Sequence, residues 1–322
     1  MESKPRVIGD EEQDANQGRG SVEEAREVEV RRGRAGGLPR KLVRDYARET
    51  LLAMQIRKLG ESGIEVPAVG LGTWQVLDVR GREEQSRHEV VRAALEEGAN
   101  LFDSSPMYGE AERVLGDALR EHGRERATVA TKVWTSDDVE AERQIEASLD
   151  YFGGRVELYQ VHNLVAVERR LDTLHRLKDE GVVRAVGATH YSRAAFSDLM
   201  STMRSGRVDF VQVPYNAAET SVTQEVLPLA EEIGLGVLVM VPLGSGRLVR
   251  DAPSERELEP LREFGVETWA QALLKFVLSD ERVSCAIPAT SDPERMRENA
   301  RAGDPPWFGE EERRHVADLA RR

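Results

Sequence analysis

Three short apolar runs in the chain end in residues able to take part in proton chemistry. ANLFDSS delivers Asp103, with Tyr108 five residues on; ATVATKVW delivers Lys132; VELYQVHN delivers His162. Singly, each has a plain structural explanation. A strand-end Asp caps the next helix, a strand-end Lys is solvated, and a lone His is a hydrogen-bonded core residue. Together, on three consecutive strands, they aim a carboxylate, a phenol, an ammonium and an imidazole at one rim. A free phenol has a pKa of about 10 and is a sluggish acid at neutral pH. A neighbouring ammonium favours the phenolate and lowers that value. Lys132 can supply this charge, and Asp103 can hold Lys132 charged and aimed. His162 can hydrogen-bond an oxygen of a bound molecule. The expectation is a general acid tuned toward working pH beside an orienting group, with no metal required.

Such a set needs elements that present it on one surface. From Met54 the sequence opens with QIRKL and GIEVPAV around Gly60-Glu61-Ser62-Gly63, which reads as a β-hairpin. Eight apolar runs follow, from AVGLGTW to VSCAIPATS, separated by amphipathic segments such as HEVVRAALEEG, AERVLGDALREHG and VERRLDTLHRLKDEG. Gly98, Gly123, Gly181 and Gly206 close four of these segments as helix-ending residues. Eight strands alternating with helices over this length predict a single (β/α)8 TIM barrel, whose chemistry sits at the C-terminal ends of its strands. The competing open Rossmann sheet would carry GxGxxG after its first strand. Gly70-Leu71-Gly72 and Gly244-Ser245-Gly246 both lack the third glycine.

Composition narrows the function classes. The 322 residues hold 45 Lys plus Arg against 58 Asp plus Glu, a net charge of −13, with 40% hydrophobic residues. The acidic balance argues against a nucleic-acid partner, and no apolar run is long enough for a membrane helix. Cys285 is the single cysteine, which excludes an intrachain disulfide and fits a reducing, cytoplasmic setting. Residues 1–53 hold eleven acidic and eleven basic side chains. They read as a charged upstream extension, mobile or partly helical, with an adhesive tail as the alternative. Arg31 and Arg32 are not followed by the apolar stretch of an export signal. Residues 54–322 are therefore expected to form the barrel.

The body resembles the aldo-keto reductase family. FDSSPMYGEAERVLGDAL is similar to that family's Asp–Tyr segment, VATKVW to its lysine strand and ELYQVHN to its histidine strand. VGLGTWQ resembles its first strand and IPATSDPERMREN its C-terminal cofactor segment. The resemblance implies reduction of aldehydes or ketones to alcohols. Tyr108 would donate a proton while a dihydronicotinamide gives hydride, assisted by Asp103, Lys132 and His162. A cofactor-binding regulatory subunit with little turnover is the alternative, and a metal-dependent barrel a third reading.

The same resemblance assigns the cofactor grip. Gly72 and Thr73 end the first strand, and Gln212 would reach the nicotinamide carboxamide. Thr189 and His190 stand where the family more often has Ser-Asn. Met240 replaces its ring-stacking tyrosine. Leu243, Gly244, Ser245 and Arg247 would enclose the pyrophosphate. Thr290 and Arg295 match 2′-phosphate positions, and Asn299 matches the adenine reader. Ala289 stands where many members place a lysine, and Asp292 adds a negative charge, so NADPH is expected with NADH possible. Trp74, Met107, Trp134 and Asn163 should line the mouth for a small carbonyl substrate. The barrel is expected to act as a monomer.

Overall fold

The computed structural model describes residues 54–322, so the expectation for residues 1–53 lies outside the described residues. β1 (Ile56–Lys58) and β2 (Glu65–Pro67) pair antiparallel, with Ile56 opposite Pro67. Gly60 and Gly63 turn the hairpin at φ values of +56° and +73°, where a side chain would be strained. Strand and helix then alternate. β3 (Leu71–Gly72) leads to α1 (Glu84–Glu96), β4 (Leu101–Asp103) to α2 (Ala111–His122), and β5 (Thr128–Val133) to α3 (Asp138–Tyr151). β6 (Val156–His162) leads to α4 (Val167–Asp179), β7 (Val183–Thr189) to α5 (Phe196–Arg204), and β8 (Phe210–Pro214) to α6 (Val226–Glu232). β9 (Gly236–Met240) precedes α7 (Glu255–Leu258) and α8 (Trp269–Leu278); β10 (Cys285–Ala286) precedes α9 (Pro293–Arg301), and α10 (Glu310–Ala320) follows.

β3 to β10 lie side by side in chain order, every neighbour parallel. The sheet closes on itself. The Gly70 N–H donates to the Ala286 carbonyl at 2.9 Å, and the Ala286 N–H to the Ala68 carbonyl at 2.8 Å. This is the expected (β/α)8 barrel. Strands of such a barrel are buried on both faces, which is why they read as nearly unbroken apolar runs.

Strand alternation divides their side chains into two sets. One set, with Leu101, Ala130, Leu158, Ala185, Phe210 and Leu238, packs inward on Leu59, Ile64 and Val66 of the hairpin. The hairpin therefore plugs one end of the barrel. The other set, with Phe102, Val129, Tyr159 and Val186, packs outward in the layer shared with helix residues such as Leu115 and Leu174. One step further along each strand, the inward positions of β4, β5 and β6 are Asp103, Lys132 and Gln160.

Candidate active site

Period-two alternation carries the polar residues into the barrel mouth: inward Leu101 implies inward Asp103, and inward Leu158 implies inward Gln160 and His162. Register aligns Lys132 with Gln160, and His162 with Thr189. Asp103, Lys132 and His162 are all buried. The Lys132 ammonium donates to Asp103 Oδ2 at 2.7 Å and to the Ser104 carbonyl at 2.7 Å. Gln160 donates from Nε2 to the other carboxylate oxygen of Asp103 at 3.2 Å. Tyr108 ends a short 3-10 turn, Pro106–Tyr108, that Ser105 caps. The lysine nitrogen lies 5.0 Å from the centroid of the Tyr108 ring. The rings of Tyr108 and His162 meet edge-on with centroids 5.9 Å apart. Asp103, Tyr108, Lys132 and His162 thus lie close together.

Electrostatics correct one expectation. Burial pushes the Tyr108 phenol above its ordinary value; Lys132 pulls it down and Asp103 pushes it up, but burial prevails. The phenol is thus not brought down toward neutral pH in this state, because removing it from water penalises the phenolate more than one paired ammonium favours it. For Lys132, burial favours the neutral amine, yet Asp103 and then Tyr108 outweigh it and its pKa rises. Lys132 stays an ammonium. His162 is pulled down to about 3 by burial, with Lys132 and His190 adding to the shift. It is a neutral imidazole at every physiological pH.

The mouth is rimmed with exposed apolar groups. Trp74, Met107 and Trp134 are 45%, 39% and 41% exposed, unusual for side chains of this size. The Trp134 ring lies 6.4 Å from that of His162. Asn163, half-buried, begins a tight turn with φ +53°, followed by Leu164 at +57° and Ala166 at +49°. Gln75, Val241 and Ser245 also have positive φ just beyond β3 and β9. Non-glycine residues in that region cost energy and concentrate at functional sites; here they lie beyond strand C-terminal ends.

Other expected contacts fall on the remaining strand ends. Gly72 and Thr73 are buried, and the Thr73 hydroxyl donates to Ser104 Oγ at 2.9 Å, tying the first strand to the Asp103 loop. The Thr189 hydroxyl donates to the Gln212 carbonyl at 2.9 Å. The Gln212 side chain is buried, and its Oε1 has no partner among the described residues. His190 accepts the Ser192 N–H at Nδ1 at 3.0 Å. Met240 packs half-buried against the inner barrel cluster.

In the loop after β9, the Gly244 N–H is already used by the Val241 carbonyl at 2.9 Å, and that of Arg247 by the Gly244 carbonyl at 3.2 Å. Of the four expected residues there, Leu243 and Ser245 keep N–H groups without a partner among the described residues. Arg247 is exposed. Asp292 caps α9 by accepting the Glu294 N–H at 2.9 Å, and Thr290 Oγ1 accepts the Asp292 N–H at 3.2 Å. Arg295 is exposed, 3.9 Å from Asp292, and Asn299 is buried. Thr290, Arg295 and Asn299 form a group of their own around α9 and make no hydrogen bond to Asp103, Tyr108, Lys132 or His162.

Several participants were missed in the sequence. Gln160 was signalled, since it stands two residues before His162 and must share its face. Ser105 and the Ser104 carbonyl carried no signal. Tyr191, 67% exposed, stacks on His190 at 5.3 Å.

Fold and site together define a barrel with a lysine-coupled phenol and a neutral imidazole at its C-terminal rim. The model of the aldo/keto reductase family matches residues 68–316, and the chain belongs to that family. Among similar proteins, aldo-keto reductase YhdN of Bacillus subtilis is 31% identical over 230 residues, covering 64% of this chain and 67% of the relative. Methylglyoxal reductase YeaE of Escherichia coli is 28% identical over 260 residues, covering 77% of this chain and 89% of the relative. An aldo/keto reductase from Klebsiella pneumoniae, solved in complex with NADP and acetate, superposes with a TM-score of 0.70 at 25% identity, covering 82% of this chain and 95% of its own.

Proposed function

We propose that the protein reduces small aldehydes or ketones to alcohols, with NADPH as the cofactor. The observation that carries this reading is the buried Lys132–Asp103 pair at 2.7 Å, set against the Tyr108 ring and beside neutral His162. The fit of a nicotinamide is supported by Gln212, whose buried Oε1, without a partner among the described residues, suits an amide N–H donor. Gly72, Thr73, Thr189, His190 and Met240 would hold the ring end of the cofactor. Leu243, Gly244, Ser245 and Arg247 would hold its pyrophosphate, and Thr290, Arg295 and Asn299 its adenosine end. The Klebsiella structures with NADP and NADPH support the same choice. When bound, the dihydronicotinamide supplies the hydride.

The chain's own residues do the rest. Tyr108 holds its proton at neutral pH and gives it to the carbonyl oxygen as negative charge develops there. Lys132, kept cationic by Asp103, stabilises the phenolate that Tyr108 leaves behind. His162 donates a hydrogen bond to the same oxygen and orients it. Trp74, Met107 and Trp134 give an apolar wall beside the polar Asn163, which suits short or aromatic carbonyls.

Tyr108→Phe is expected to abolish most carbonyl-dependent consumption of the dihydronicotinamide while cofactor affinity stays within a few-fold. Near-normal turnover in that variant would refute Tyr108 as the proton donor. For cofactor choice, Arg295 offers a bidentate phosphate fork; equal dissociation constants for NADPH and NADH would remove the preference.

A further inference from the structure

We infer that Ser105 is a positioning residue that fixes the tautomer of His162, so that Nε2 carries the proton and faces the substrate. The inference rests on the role of His162 proposed above. Ser105 Oγ lies 3.0 Å from His162 Nδ1, with Ser105 fully buried. The same oxygen accepts the Met107 N–H at 3.4 Å. A hydroxyl has one proton to give, and Nδ1 is its one acceptor among the described residues. His162 makes no other hydrogen bond there, and its Nε2 is not sealed from solvent.

A neutral imidazole has one N–H, so two arrangements compete. In the first, Ser105 donates to Nδ1, the Met107 N–H donates to Ser105, and Nε2–H points into the mouth. Every buried polar atom is satisfied. In the second, Nδ1–H donates to Ser105, whose own proton then has no acceptor in a buried site, and Nε2 presents a lone pair. A lone pair repels a carbonyl oxygen, whereas an N–H binds it. Leaving a buried donor unmatched is the costlier choice, so the serine selects the tautomer the reaction requires. His190 shows the same outcome reached by a donor with no ambiguity. The Ser192 backbone N–H occupies its Nδ1 at 3.0 Å, which leaves the proton on Nε2.

The test reads the tautomer directly. Long-range proton–nitrogen correlation spectra of the full chain with nitrogen-15 histidine report which ring nitrogen is protonated. His162→Asn identifies the His162 signals, and His190 serves as the internal Nε2–H reference. In the unmodified protein His162 is expected to be protonated at Nε2. Ser105→Ala should shift population to Nδ1–H and raise KM for a small aromatic aldehyde about tenfold, the worth of one hydrogen bond, with cofactor affinity unchanged. Ser105→Thr, which keeps the hydroxyl, should restore both. A His162 protonated at Nδ1 in the unmodified protein, or an unaltered spectrum in Ser105→Ala, overturns the inference. Should Ser105→Ala fail to fold, Ser105→Cys, a weaker donor, must show an intermediate spectrum; one identical to Ser105→Thr overturns it equally. A chain that reduces no carbonyl refutes the proposed function, while the spectrum still decides what Ser105 does.

Discussion

At the scale of single residues, the site sets a phenol and an imidazole side by side. Burial drives both away from their charged forms. It raises the phenol of Tyr108 and lowers the imidazole of His162 to about 3. Lys132 escapes because Asp103 is bonded to it at 2.7 Å. The pH dependence of carbonyl reduction follows. Tyr108 must be protonated to donate, so its loss lies above the ordinary phenol value of about 10. His162 must be neutral, and its protonation lies far below its ordinary value of about 6.5. Neither group should give kcat/KM a limb between roughly pH 5 and 9. A limb near the ordinary histidine value that disappears in His162→Asn would contradict a neutral His162. A decline on the alkaline side well below the ordinary phenol value would contradict the raised Tyr108.

At the scale of elements, α2, α3 and β5 share a buried carboxyl that takes no direct part in the proposed reaction. Glu112, on the first turn of α2, accepts from the Thr131 hydroxyl at 2.5 Å and from the Ser148 hydroxyl at 2.8 Å. Burial raises it to about 7 against the pull of those two bonds. An acid whose folded pKa lies above its unfolded one binds more protons in the folded state across that window. Its stabilising contribution is complete below the unfolded value of 4.5 and is lost as pH rises toward 7. At about 1.4 kcal/mol per unit, the loss is roughly 3 kcal/mol. Denaturant unfolding of the parent and of Glu112→Gln, followed from pH 5 to pH 8 (both rough bounds set by that window), should show the parent losing stability relative to the variant. Parallel curves would refute the shift.

At the scale of the whole molecule, the barrel is filled at one end by its hairpin and left polar at the other. Within the filled end, β7 and β8 depend on a close fit. A Cβ added to Gly187 would lie 2.5 Å from the Phe210 ring, a contact that real structures essentially never show. Gly187→Ala is therefore expected to destabilise the barrel by about 1–3 kcal/mol, the usual cost of overpacking. Combined with Phe210→Leu, which removes the ring, it should cost less than the two single changes added together. Strict additivity in urea midpoints would show that the ring and strand do not meet.

Much of this architecture was legible in the chain. Alternating apolar runs and amphipathic segments dictate strands and helices, because each must bury one face. Short connections between parallel strands leave few topologies but the barrel. Asp103, Lys132 and His162 were visible because strand period and strand ends are local properties.

What only the tertiary structure decided depends on contacts between distant residues. Ser105 meets His162, and Gln160 meets Asp103, across 57 residues in each case. No spacing rule encodes those meetings. The direction of the Tyr108 shift was likewise out of reach. It is set by how much water the folded barrel removes from the phenol against how near it brings one ammonium, and both quantities exist only once the strands have closed.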